Sequence, residues 1–264
     1  MTTPTTRPDA RAEHGSTAEP DTTEPRRTAA AGTPTGPGTT TEPRTTEPRS
    51  TADPDTTEPE TPAARAARLV TESRTFAAEA GIATRDTPSS VFRLLVLSCL
   101  LAAPVQHATA LRAARALRPA TRSAAALART PVEEVSRHLT AAGYWRFHRT
   151  KGALLVRAAG DVVDRLDGDL RTLYREATSA AELHRALRRV PGVGTHAAHI
   201  VLREAQGVWP DLQPYLDTRV LDGAARLGLP TDPDALAALV DPEDLPRLAA
   251  GCVRATLAGG TRAA

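Results

Sequence analysis

Two stretches, VPGVGTHAAHIVLREAQ at residues 190–206 and PYLDTRVLDGAARLGL at residues 214–229, decide how the chain folds. The first sets a Pro-Gly-Val-Gly turn between two apolar-periodic runs. The second puts an aspartate, Asp217, at the head of a third run. Glycine tolerates positive φ and lets a partner approach the backbone closely. The run after the turn begins a helix whose first N–H groups have no intrahelical acceptor and whose dipole end is positive. Gly192, Val193, Gly194, Thr195 and His196 therefore form a candidate anion site, suited to a DNA phosphate. The same turn also serves a tight helix–turn–helix corner without any ligand. Asp217 is a preferred N-cap residue in its own right.

Outward from this point the segments read as helix. Thr61-Pro62 predicts an N-cap with proline at the first helical position, and Gly81 a stop. Thr87-Pro88 opens VFRLLVLSCLLAA, apolar nearly all round and so expected at the centre of the fold. Pro104 interrupts, and VQHATALRAARAL continues. Ser123 starts a short helix, Thr130 with Glu133 suggests a capping box, and Gly143 ends that helix. Further helices are expected over 147–166, 179–190 and 195–206. Others follow Asp217 up to Gly228, Asp232-Pro233 and Asp241-Pro242. No run shows strand alternation, so the fold class is all-α.

The first sixty residues differ. Residues 2–62 contain no Val, Leu, Ile, Phe, Tyr, Trp or Cys, and TTEPR recurs at 22–26, 40–44 and 45–49, with TTEPE at 56–60. Such a segment cannot bury enough apolar surface to offset the entropy of ordering, so residues 1–61 are expected to be a disordered tail. It has no apolar signal core, and no stretch of the chain approaches a membrane span. Residues 1–62 carry a net charge of −5 and the remainder +7. A basic body suits a nucleic-acid partner. Lys151 is the single lysine beside 32 arginines. Cys99 and Cys252 lie in apolar helices, which suits buried thiols in a reducing compartment. His196 and His199 share a helix, but no carboxylate or thiol partner is evident in the sequence, so no metal is expected.

The order of these motifs resembles the helix–hairpin–helix DNA glycosylase superfamily, which includes endonuclease III and the adenine-mismatch glycosylase. VPGVGTHAAHIVL followed by LDTRVLDGAARLGL carries the resemblance. SSVFRLLVLSCLLAAPVQHATALRAARAL resembles the early buried helix pair, and LTAAGYWRFHRTKGALLVRAA the Gly-aromatic helix start. The match spans roughly residues 86–258. It implies a two-lobed helical fold, with a barrel lobe over about 88–200 and a second lobe joining 62–85 to about 201–258. Asp217 would stabilise positive charge on the sugar as the base leaves, or help activate the nucleophile. His196 stands where strand-cutting members carry the lysine that forms a Schiff base, so the resemblance implies a monofunctional enzyme. The family's iron–sulfur cluster needs four cysteines, which the two here cannot supply, and no cofactor is expected.

The expected function is hydrolysis of the N-glycosidic bond of a damaged or mispaired base. Its partner would be double-stranded DNA, with no membrane, a monomeric state and a cytoplasmic, nucleoid-associated location in a bacterial host. Gln106, Trp209 and Tyr215 are candidates for the base pocket or the wedge that offsets the cost of flipping a base. Tyr144, Trp145 and Phe147, among Arg146, His148, Arg149 and Lys151, suit either nucleic-acid contact or core packing. The alternatives are a non-catalytic binder of DNA structure with the same fold, and a helical protein-interaction module.

Overall fold

A computed structural model describes residues 60–259, so nearly all of the expected tail lies outside the described residues. The described residues are helical, with no strand among them. Helix α1 (Pro62–Glu72) starts as the sequence indicates, with Thr61 Oγ1 accepting the Ala64 N–H at 3.2 Å. It does not run on to Gly81. The chain breaks at Ser73 and restarts as α2 (Phe76–Glu79), where Thr75 Oγ1 accepts the Ala78 N–H. The break is stabilised from far along the chain. The buried carboxylate of Glu204 accepts the Phe76 and Ala77 N–H groups at 3.0 and 2.9 Å.

Helix α3 (Pro88–Leu101) has ten buried residues of 14, so its all-round apolar pattern matches its central position. It contacts α4 (His107–Ala116), α7 (His148–Leu166) and α10 (Thr195–Ala205). Short α5 (Ala124–Ala128) and α6 (Val132–Ala141) pack on α7. The capping box expected at Thr130 does not form. Pro131 is the N-cap residue of α6, and the Thr130 hydroxyl donates 2.9 Å back to the Ala126 carbonyl, closing α5 instead. A reciprocal cap does form at α9 (Ala180–Leu187). There Ser179 Oγ accepts the Glu182 N–H, and the Glu182 carboxylate accepts the Thr178 N–H at 2.8 Å. Helix α8 (Arg171–Glu176) has no counterpart in the sequence reading, because one buried residue, Leu173, shows no period over six positions.

At the C-terminal end come α11 (Thr218–Arg226), α12 (Pro233–Ala237) and α13 (Leu245–Gly259). Asp232 caps α12 as expected. Asp241 makes no side-chain cap. Pro242–Asp244 forms one 3₁₀ turn before α13 begins. Helix α13 packs against α1, α10 and, most extensively, α11. The α11–α13 crossing depends on Gly223: a Cβ there would overlap the Cys252 carbonyl. The hydrophobic core runs as one cluster through all these helices, and both cysteines are buried in it.

Gly223→Ala would force α11 and α13 apart. We expect it to cost ~1–3 kcal/mol and to lower the thermal midpoint by several degrees. An unchanged midpoint would contradict the close crossing.

Candidate functional site

The glycine turn lies between α9 and α10. Val190 and Val193 are buried and pin it to the core, and the Val193 N–H is taken by the Val190 carbonyl at 3.1 Å. Val193 thus belongs to the turn's anchoring and offers no side chain to a ligand. Gly192 has φ +80, and a Cβ there would press on Leu154 at 3.3 Å, so glycine is required. Gly194 differs. Its φ of −85 suits any residue, and nothing lies within 4 Å of a Cβ built on it. Neither backbone nor packing demands glycine at 194. Thr195 opens α10, whose N-terminus has no side-chain cap.

From His196 one face of α10 descends through Ile200 to Arg203, at i, i+4 and i+7. These three residues form one wall of a cavity of about 590 Å³. The segment Leu101–His107 between α3 and α4 forms a second wall. Phe76, Arg219, Val253 and Leu257 complete it. Gln106 is exposed at the cavity, at the N-cap of α4, and makes no cap bond.

Arg219 Nη1 stands 2.8 Å from His196 Nε2. A guanidinium only donates, so Nε2 accepts and the imidazole carries its proton on Nδ1. Burial, reinforced by the charges of Arg219 and then Arg203, pushes the His196 pKa down to about 4. The ring is therefore neutral at physiological pH.

Asp217 sits behind this face rather than on the cavity wall. Its Oδ1 accepts the Val220 N–H at 3.2 Å, capping α11, and the Arg203 Nη1 donor at 3.3 Å. Both side chains are buried, Arg203 at 6% and Asp217 at 8% exposure. Asp217 Oδ2 lies 3.7 Å from His199 Nδ1, so the histidine that lacked an evident acidic partner in the sequence faces this one. The Tyr215 hydroxyl lies 2.7 Å from the same nitrogen. Burial, and then the charge of Asp217, raise the Tyr215 pKa. Among the described residues no group of three or more His, Cys, Asp or Glu side chains is placed to hold a metal.

Two expected pocket residues stand elsewhere. Trp209 is 2% exposed, stacks on Tyr174 at 4.4 Å and donates to Asp86 Oδ1 at 3.1 Å, so its ring has no face left for a base. Tyr215 turns to His199 and does not line the cavity. The aromatic-basic cluster divides: Tyr144 is fully buried, while Trp145 is 68% exposed. Arg203 and Arg219 are the arginines of the cavity that sequence reasoning missed, along with apolar lining residues such as Phe76 and Ile200. The seven-residue spacing from His196 to Arg203 was available as a signal. Arg219, two positions past Asp217, gave none.

No family model matches the chain, and no curated protein does. In structure it is similar to an endonuclease III trapped as a covalent intermediate with DNA, at 17% identity and TM-score 0.46, covering 72% of this chain and 81% of that one. An endonuclease III in a non-covalent DNA complex matches at 17% identity and TM-score 0.46, covering 72% and 80%. H. pylori 3-methyladenine DNA glycosylase bound to 1,N6-ethenoadenine matches at 13% identity and TM-score 0.47, covering 74% and 94%.

Removing one partner of a buried ion pair leaves the other charge uncompensated, at ~3–5 kcal/mol. Asp217→Ala should therefore destabilise the fold by about that amount, plus ~1 kcal/mol for the lost cap. Adding Arg203→Met should recover part of the loss in urea unfolding. Simple additivity of the two losses would show that the pair is not what Asp217 supplies.

Proposed function

We propose that the chain is a DNA glycosylase-like protein of the helix–hairpin–helix type. It would hydrolyse the N-glycosidic bond of a damaged or mispaired base in duplex DNA, acting as a monomer without Schiff-base chemistry. The observation that carries this reading is one helix, α10, with an uncapped N-terminus beside the glycine turn and the cavity along its face. A backbone phosphate at the turn would place a neighbouring nucleotide near the cavity mouth. The two lobes expected from sequence belong to the same proposal. Helices α4, α7 and α10 each contact α3, while α13 contacts α11, α1 and, less extensively, α10.

In the reaction the C1′–N bond breaks, the base leaves with the bonding pair and takes a proton, and water supplies the oxygen at C1′. Positive charge on the sugar would be stabilised through space by the Asp217 carboxylate. No lysine lines the cavity, and neutral His196 cannot form a stable iminium. A second reading, a non-catalytic binder of DNA structure, is favoured by one observation. The charge of Asp217 is already offset by Arg203 at 3.3 Å.

Incubation with a panel of lesion duplexes followed by alkali is expected to cleave strands at released bases, and borohydride to trap no protein–DNA adduct. A trapped adduct would overturn the monofunctional assignment. Salt-sensitive duplex binding without any abasic sites would select the second reading.

Gly194→Ala should fold normally, since the space above it is empty. It should weaken duplex binding about tenfold, roughly 1.4 kcal/mol, by holding a phosphate off the turn. Unchanged affinity would assign the turn to architecture alone.

A further inference from the structure

The cavity has a charge character that the glycosylase reading does not require. Its apolar walls come from Val105, Ile200 and Leu257, with Phe76. The charged groups lining it are arginines, and no carboxylate lines it. The two arginines are not equivalent. Arg203 is buried against Asp217, so much of its charge is offset. Arg219 has no carboxylate of the described residues within 4.0 Å. Its described polar partner is His196, a neutral ring that accepts one N–H of this exposed side chain and orients the guanidinium. Of the five N–H donors of an arginine, the others remain available as a planar fork that matches a carboxylate.

A cationic ligand would find nothing to offset this. Recognition of a cation needs a carboxylate or an open aromatic face. The aromatic ring of Phe76 already carries the Arg254 guanidinium 4.5 Å from its centroid, and that guanidinium is itself paired with Glu79 at 2.8 Å.

We propose that this cavity takes an anionic base, a carboxylated pyrimidine being the simplest case, and rejects cationic N-alkylated purines, with Arg219 as the specificity-determining residue. The proposal rests on the glycosylase-like reading. A planar ring would lie against the apolar walls of this cavity of about 590 Å³ while its carboxylate met the Arg219 fork. The same fork could bind an anion of another source, a phosphate of the DNA backbone, and the experiment separates the two.

The full chain is tested with duplexes that differ at one position: 5-carboxyuracil, its uncharged analogue 5-hydroxymethyluracil, cationic 7-methylguanine, and unmodified thymine. Affinity is read by fluorescence anisotropy and base release by alkaline cleavage. The 5-carboxyuracil duplex should be preferred over the 7-methylguanine duplex by at least about tenfold, with the uncharged analogue between them. Arg219→Gln should remove most of that preference, Arg219→Lys should keep its direction, and Arg219→Glu should reverse it. A preference for 7-methylguanine, or one that Arg219→Gln leaves intact, overturns the proposal. So does an equal loss of affinity for modified and unmodified duplexes in Arg219→Gln, which would assign Arg219 to the phosphate backbone. Base release chiefly from 7-methylguanine would leave the glycosylase reading standing and remove only this inference. Absence of binding to any duplex would remove both.

Discussion

A buried arginine needs a counter-charge, and the arrangement of the site follows from where Arg203 finds one. Its partner is Asp217, fourteen residues along the chain and at the head of another helix. The last turn of α10 holds two more buried polar side chains, each tied to a different segment. Glu204 accepts the first N–H groups of α2. The Gln206 side chain accepts the Tyr215 N–H at 2.9 Å and donates to the Tyr215 carbonyl at 3.2 Å. Buried polar groups cost free energy unless they are paired. Three such groups within four residues therefore fix three segments relative to one helix: α2, the loop before α11, and α11 itself.

The cavity inherits this geometry. Phe76 reaches it from α2 and Arg219 from α11, and both helices are held by polar groups of α10. The glycine turn stands at the other end of the same helix. A ligand gripped at the turn and a group held in the cavity would thus be referred to one rigid element, as a precise site requires. The burial that places Asp217 also limits it. A carboxylate that caps a helix and neutralises an arginine has less field to project onto a developing cation.

Local rules were legible in the sequence wherever the partner lies within a few residues. The caps at Thr61, Thr87, Ser123, Asp217 and Asp232 are all of this kind. So are the helix stops at Gly81, Gly143 and Gly228, each with positive φ. The failures have distant causes. The break at Ser73 needs Glu204, 128 residues beyond Phe76. Trp209 reads as a loop aromatic free to stack, but Tyr174 and Asp86 claim it. At Thr130 two local uses of one hydroxyl competed, and closing α5 won over capping α6. The position of Asp217 was readable from its motif, whereas its pairing with Arg203 was not, since no pattern links α10 to the head of α11.

His196 shows how the residue at one position can set the character of a whole site. A lysine amine there would add a second cation close to Arg219, and repulsion would favour its neutral, nucleophilic form. Histidine instead accepts a hydrogen bond from an Arg219 N–H, which needs the uncharged ring. The pair is then a single cation whose charge lies on the arginine, while the imidazole positions it without competing for it. Protonating His196 would break the bond and set two cations side by side, which is why burial and the neighbouring arginines together hold its pKa at about 4. His196 thus orients the guanidinium that gives the cavity its charge without adding a charge of its own.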